Sequence, residues 1–106
     1  MNEKLREVRE LLGDDFGLLV DAFNGDNRAC LNNAKKLASE KQALEMANEI
    51  HSVKGAASNV GAEELAALCQ ELESKGRAGD LDNVPILLAS ISEKFEELIV
   101  ELERAR

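Results

Sequence analysis

The sequence predicts an all-α fold, an antiparallel four-helix bundle with an additional short N-terminal helix, on three observations. Apolar residues recur at steps of three and four along most of the chain. Residues that favour strands are scarce, with no Trp or Tyr and only three Phe. The breaks between periodic stretches are short and marked by Gly, Asn or Asp. At 106 residues a single domain spanning 1–106 is expected, large enough for one core and too small for two.

Taken in order, residues 3–12 predict a short helix with Leu5, Val8, Leu11 and Leu12 on one side and Gly13 closing it. Asp14 suits the N-cap of a second helix, in which Phe16, Leu19, Val20 and Phe23 keep the spacing of one face. Asn24-Gly25-Asp26 is expected to break or bend it before the pattern resumes at Cys30, Leu31, Ala34, Leu37 and Ala38. Ser39, with Gln42 three residues on, predicts a capping box for the next helix, which runs to about Asn59 and ends at a left-handed Gly61. A fourth helix carries Leu65, Leu68, Cys69 and Leu72 on one stripe, and Lys75 to Asp80 forms a loop. Asp82 is expected to cap the last helix, with Pro85 in its first turn, where a missing N–H does no harm. There Val84, Leu88, Ile91, Phe95, Leu98 and Leu102 alternate steps of four and three, the seam of a helix packed lengthwise on its neighbours.

Composition narrows the function. Thirteen basic against 21 acidic residues give a net charge of −8, which repels nucleic-acid phosphates and anionic membrane surfaces. No apolar run approaches a membrane span and no signal-like stretch follows Met1, so a cytoplasmic location is expected. Cys30 and Cys69 fall on apolar helix faces and are expected to be free thiols rather than a disulfide. One His and no Cys-x-x-Cys pair supply too few ligands for zinc, and no metal site is expected.

The single histidine, His51, carries most of the functional information. With Ile50 at zero and about 100° per residue, Ala43, Met46, Ile50, Val53, Ala57 and Val60 form the core stripe. His51 lies off it, on a strip with Leu44, Ala47, Lys54, Gly55 and Ser58, and is expected to stand in water beside the buried face. Gly55 in a helix interior costs about 1 kcal/mol against Ala, and close approach by another molecule would account for it. Lys54, at i+3, can reach toward the imidazole, where a cation disfavours imidazolium and keeps the ring nucleophilic. Nucleophile, cation and clearance describe a residue that accepts a phosphoryl group; the spacing fixes no second acid or base beside it. Glu73 fits a solvated charge, and Glu93, Glu96, Glu97, Glu101 and Glu103 the wet face of the last helix.

The string from His51 to Asp80, HSVKGAASNVGAEELAALCQELESKGRAGD, resembles the signature of histidine-containing phosphotransfer (HPt) domains of bacterial multistep phosphorelays. The resemblance rests on His51, Val53, Lys54, Gly55, Gly61, Leu65, Cys69, Leu72 and Glu73. It implies that His51 takes a phosphoryl group from the aspartyl phosphate of one receiver domain and passes it to the aspartate of another. It implies that Lys54 steadies the phosphoryl oxygens, that Gly55 admits the receiver's loops, and that Leu44, Ala47 and Ser58 sit in the docking patch. The implied partners are response-regulator receivers and a hybrid sensor histidine kinase, engaged by a monomer. The implied chemistry is stoichiometric phosphate carriage without ATP-dependent kinase activity, with no cofactor of its own and Mg²⁺ in the receiver. The phosphotransfer domain of a chemotaxis-type histidine kinase shares the His-x-x-Lys-Gly opening and is the nearest alternative. A helical adaptor that binds receivers without accepting phosphate is an alternative of another class.

Overall fold

A computed structural model describes residues 1–106 as five α-helices joined by tight turns. They are α1 (Glu3–Leu12), α2 (Phe16–Ser39), α3 (Ala43–Asn59), α4 (Glu63–Arg77) and α5 (Val84–Ala105), with one 3₁₀ turn over Gly13–Asp15. The four long helices close a ring: α2 packs on α3 and α5, and α4 packs on the same two. The short connections make sequence neighbours antiparallel, and the bundle measures 42 × 21 × 18 Å. No helix is long and apolar enough to cross a membrane.

The spacing rules account for the core. All six seam residues of α5 are buried, as are Met46, Ile50, Val53 and Ala57 of α3 and Leu65, Cys69 and Leu72 of α4. In α1 only Leu5 is buried, whereas Leu11 is exposed, because this helix touches the bundle along a narrow line. Asn2 fastens it: its Oδ1 accepts from Leu5 N–H at 2.7 Å and its Nδ2 donates to the carbonyls of Val60 and Gly61.

Three helices end in the same way. In α3, the N–H of Ala62 reaches the carbonyl of Ala57 at 2.9 Å and that of Gly61 reaches Ser58 at 3.1 Å, with Gly61 at φ +74°, the left-handed position expected of it. Gly79 serves α4 identically, at φ +71°. In α2 the left-handed position is taken by Lys41, at φ +60°.

Several boundary expectations are corrected. Asn24-Gly25-Asp26 does not break α2, which is continuous over 24 residues. Phe23 and Leu31 are buried on either side of it, Phe23 stacks on Phe95 of α5 at 6.2 Å, and the buried Asn27 donates to the carbonyl of Phe23 at 2.8 Å. Tertiary burial overrides the local glycine penalty. Asp14 is not the cap, since residues 13–15 form the 3₁₀ turn and Asp15 precedes α2. Ser39 ends α2 and donates to Lys36 O instead of starting a capping box, and Gln42 precedes α3 without a side-chain cap. At α5 the left-handed Asn83, not Asp82, precedes the helix, with Pro85 in its first turn. The expected loop at Lys75 begins later, because α4 continues to Arg77.

Candidate functional site

The turn at Val60–Ala62 folds α4 back along α3 and sets Glu73 opposite His51. Gly76 permits the closeness: a Cβ there would lie 2.8 Å from the carbonyl oxygen of Ala43 and 2.9 Å from the Cβ of Ala47. Two antiparallel helices touching at Ala47 and Gly76 bring the next turn of each, His51 and Glu73, within side-chain reach.

His51 presents 60% of its side chain to solvent, while its Nδ1 lies 3.1 and 3.2 Å from the two carboxylate oxygens of Glu73. An ionised carboxylate only accepts, so Nδ1 donates in this contact, and in the neutral ring the lone pair is then on Nε2. The ring is thereby oriented, and its free nitrogen faces outward.

Glu73 is a buried carboxylate, 8% exposed, surrounded by donors. Lys54 Nζ lies 2.7 Å from one oxygen, while Arg77 Nη2 lies 2.9 Å and Arg77 Nε 3.0 Å from the other. Burial pushes its pKa up, but hydrogen bonds from Lys54, Arg77 and His51 outweigh burial and hold it at about 2. Two cations around one carboxylate leave the cluster with a net positive charge beside the imidazole. That surplus sits on a chain whose overall charge is −8 and is suited to an incoming anion. Lys54 also donates to Gln70 Oε1 at 2.9 Å, Gln70 in turn to Ser74, and Arg77 to Asn48 at 3.3 Å. Beneath the cluster, Cys69 is fully buried and its thiol is pushed up to about 12, chiefly by burial. It offers no competing nucleophile.

His51, Leu44, Gly55 and Ser58 all lie exposed on α3, and no atom comes within 4 Å of a Cβ built on Gly55. Ala47 does not belong with them. It is fully buried, because Gly76 lets α4 close over it, and its expected place in a docking patch is corrected. The expectation of an unmatched Lys54 cation acting on the ring is corrected too, since its charge meets Glu73. An acid–base partner does stand beside His51, supplied from α4 and therefore invisible to spacing within α3 alone. The signal for Glu73 was nonetheless in the sequence: it continues the i, i+4 row of Leu65 and Cys69, a charge in an apolar line, and has an arginine at i+4. No group of three or more His, Cys, Asp or Glu is gathered to hold a metal ion.

Comparisons with known proteins place the fold in a family. Residues 18–105 match the family model described as Hpt domain. Among solved structures the chain is similar to histidine-containing phosphotransfer protein B (HptB) from Pseudomonas aeruginosa PAO1, with a TM-score of 0.92 and 28% identity over 98% of this chain and 90% of that one. No curated protein sequence matches. With the family model spanning α2 to α5 and the bundle superimposing on a phosphotransfer protein, the chain belongs to the Hpt domain family, the histidine phosphotransfer domains of phosphorelays.

Proposed function

We propose that His51 is the phosphoacceptor and that the chain relays a phosphoryl group between the aspartates of two receiver domains. The carrying observation is the exposed imidazole whose Nδ1 is held by the carboxylate of Glu73. Nε2 attacks the phosphorus of an aspartyl phosphate; the N–P bond forms as the P–O bond to the aspartyl oxygen breaks, and the receiver recovers its carboxylate. The Nδ1 proton stays on the ring, which becomes cationic, and Glu73 stabilises that charge through the contact it already makes. Transfer onward is the same step reversed toward a second aspartate.

Lys54 supports the phosphoryl oxygens by exchanging part of its contact with Glu73 for the arriving anion, and Arg77 keeps Glu73 compensated meanwhile. Leu44, Gly55 and Ser58 form the docking patch, Leu44 being 54% exposed and Gly55 leaving the space above its turn open. The chain acts as a cytoplasmic monomer and a stoichiometric carrier. The Mg²⁺ of the reaction belongs to the receiver, and a hybrid sensor kinase supplies the phosphoryl group through its receiver. The test is incubation with a phosphorylated receiver and Mg²⁺. Acid-labile label on this chain, absent in His51→Gln and returned to a second receiver, supports the relay. Label acquired only from a kinase with ATP points instead to a kinase-charged domain, and binding without label to an adaptor.

A further inference from the structure

Lys54 is held by two acceptors, and only one of them takes part in the contact with His51. Its Nζ lies 2.7 Å from Glu73 Oε1 and donates at 2.9 Å to Gln70 Oε1. Both acceptors stand on α4, while Lys54 itself stands on α3. The amide of Gln70 is aimed in its turn. Its Nε2 donates to Ser74 Oγ at 2.9 Å, so the carbonyl end is the one presented to Lys54. Turned the other way, the amide would set N–H donors against an ammonium.

The residue type at position 70 is informative. Acids are common on α4, which carries Glu63, Glu64, Glu71 and Glu73, yet the second side chain meeting Lys54 is an amide. A glutamate there would reach equally far and bind the ammonium more strongly, as a charge-assisted pair does. It would also cancel the surplus positive charge of the cluster, since Lys54 and Arg77 would then face two carboxylates. A neutral acceptor holds the ammonium in place and leaves its charge available. Of the three N–H donors of that ammonium, Glu73 and Gln70 engage two.

We infer that Gln70 is a positioning residue for phosphoryl transfer, a neutral anchor that keeps the Lys54 ammonium in the cluster while its contact with Glu73 is partly exchanged for the phosphoryl oxygens. The inference rests on His51 being the phosphoacceptor. Without Gln70, the flexible four-carbon stem of Lys54 would have only the carboxylate to hold it, and loosening that contact would free the side chain. With Gln70 in place the ammonium pivots on a fixed acceptor, and less order has to be created as the anion arrives. Ser74 acts one step further out, by fixing which end of the amide is presented.

The experiment measures single-turnover transfer from a phosphorylated receiver, with Mg²⁺, against receiver concentration, and in parallel the ¹⁵N relaxation of Lys54 Nζ in lysine-labelled chain. Gln70 is exposed, and Gln70→Met and Gln70→Glu keep its helix propensity, so both variants fold, as urea denaturation checks. Gln70→Met is expected to loosen Lys54 and lower the saturating rate about three- to tenfold, the loss of one ordinary hydrogen bond, at an unchanged half-saturating concentration. Gln70→Glu is expected to keep Lys54 ordered and still lower the saturating rate about tenfold, because the surplus charge is gone. Ala89→Glu adds the same charge on the exposed face of α5 and is expected to transfer at the parental rate. A parental saturating rate in either Gln70 variant, or Lys54 equally ordered in Gln70→Met, overturns the inference. So does a change confined to the half-saturating concentration, which would make Gln70 a docking residue, or an equal slowing in Ala89→Glu. A parent chain that takes no label on His51 overturns the relay reading and this inference with it. A parent chain that transfers beside variants that match it overturns this inference alone.

Discussion

Gly76→Ala is the most informative single perturbation, because it adds one methyl where two helices have no room for it. The new Cβ would lie 2.8 Å from Ala43 O, 2.9 Å from Ala47 Cβ and 3.0 Å from Met46 Cε. The methionine end can swing away, but a backbone carbonyl and a β-carbon cannot. Ordinary contact begins near 3.4 Å, so α3 and α4 must part by about half an ångström. Alanine gains about 1 kcal/mol in helix propensity, and overpacking of this kind costs about 1–3 kcal/mol. The expected net is a loss of up to about 2 kcal/mol, a fall in Tm of up to roughly 10 °C. The same displacement lengthens the His51–Glu73 contact from 3.1 Å to beyond hydrogen-bond range. A hydrogen bond to a charged group contributes about 1.5–3 kcal/mol, so phosphotransfer measured well below the variant's Tm is expected to slow at least tenfold. Urea denaturation and single-turnover transfer from a phosphorylated receiver check both halves. A variant that is more stable than the parent and transfers at the parental rate would refute the reasoning, because Gly76 would then not set the helix spacing.

The other glycine behaves oppositely. Gly55→Ala meets nothing within 4 Å and is expected to raise stability by about 0.5–1 kcal/mol in urea denaturation, while Gly55→Leu keeps the fold and weakens receiver binding in a titration. Glu73, held at about 2 in the fold against an ordinary 4.5, contributes stability that is complete above 4.5 and is lost as pH falls toward 2. The Tm advantage of the parent chain over Glu73→Gln is therefore expected to shrink between pH 5 and pH 2. Cys69, buried and pushed up to about 12, is expected to react with a thiol reagent only on unfolding, while the half-buried Cys30 reacts first in the native state.

The long α5 was legible because its apolar steps and its burial obey one rule, and nothing in Val84 to Leu102 competes with it. His51 was legible for the converse reason, standing off a stripe that is itself clear. Gly25 misled because a local cost was weighed without the burial of Phe23 and Leu31 around it. Ala47 and Gly76 could be understood only as a pair. On α3 alone Ala47 lies at the margin of the buried face, and only the absent side chain at Gly76 brings α4 over it. Glu73 was missed because its donors come from two helices: Lys54 and His51 reach it from α3, and only Arg77 shares α4 with it. Caps were read least well, since Asp14, Ser39 and Asp82 are all good capping residues, yet the turns place Asp15, Gln42 and Asn83 at those positions.

The central claim is that Glu73 occupies Nδ1 of His51 and leaves Nε2 to carry the phosphoryl group. Phosphorus–nitrogen coupling in the ¹⁵N-histidine-labelled chain, recorded after charging by a phosphorylated receiver, tests it most directly. Coupling to Nε2 with the proton retained on Nδ1 is the predicted result; coupling to Nδ1, or a charged receiver that leaves the imidazole unmodified, would contradict it.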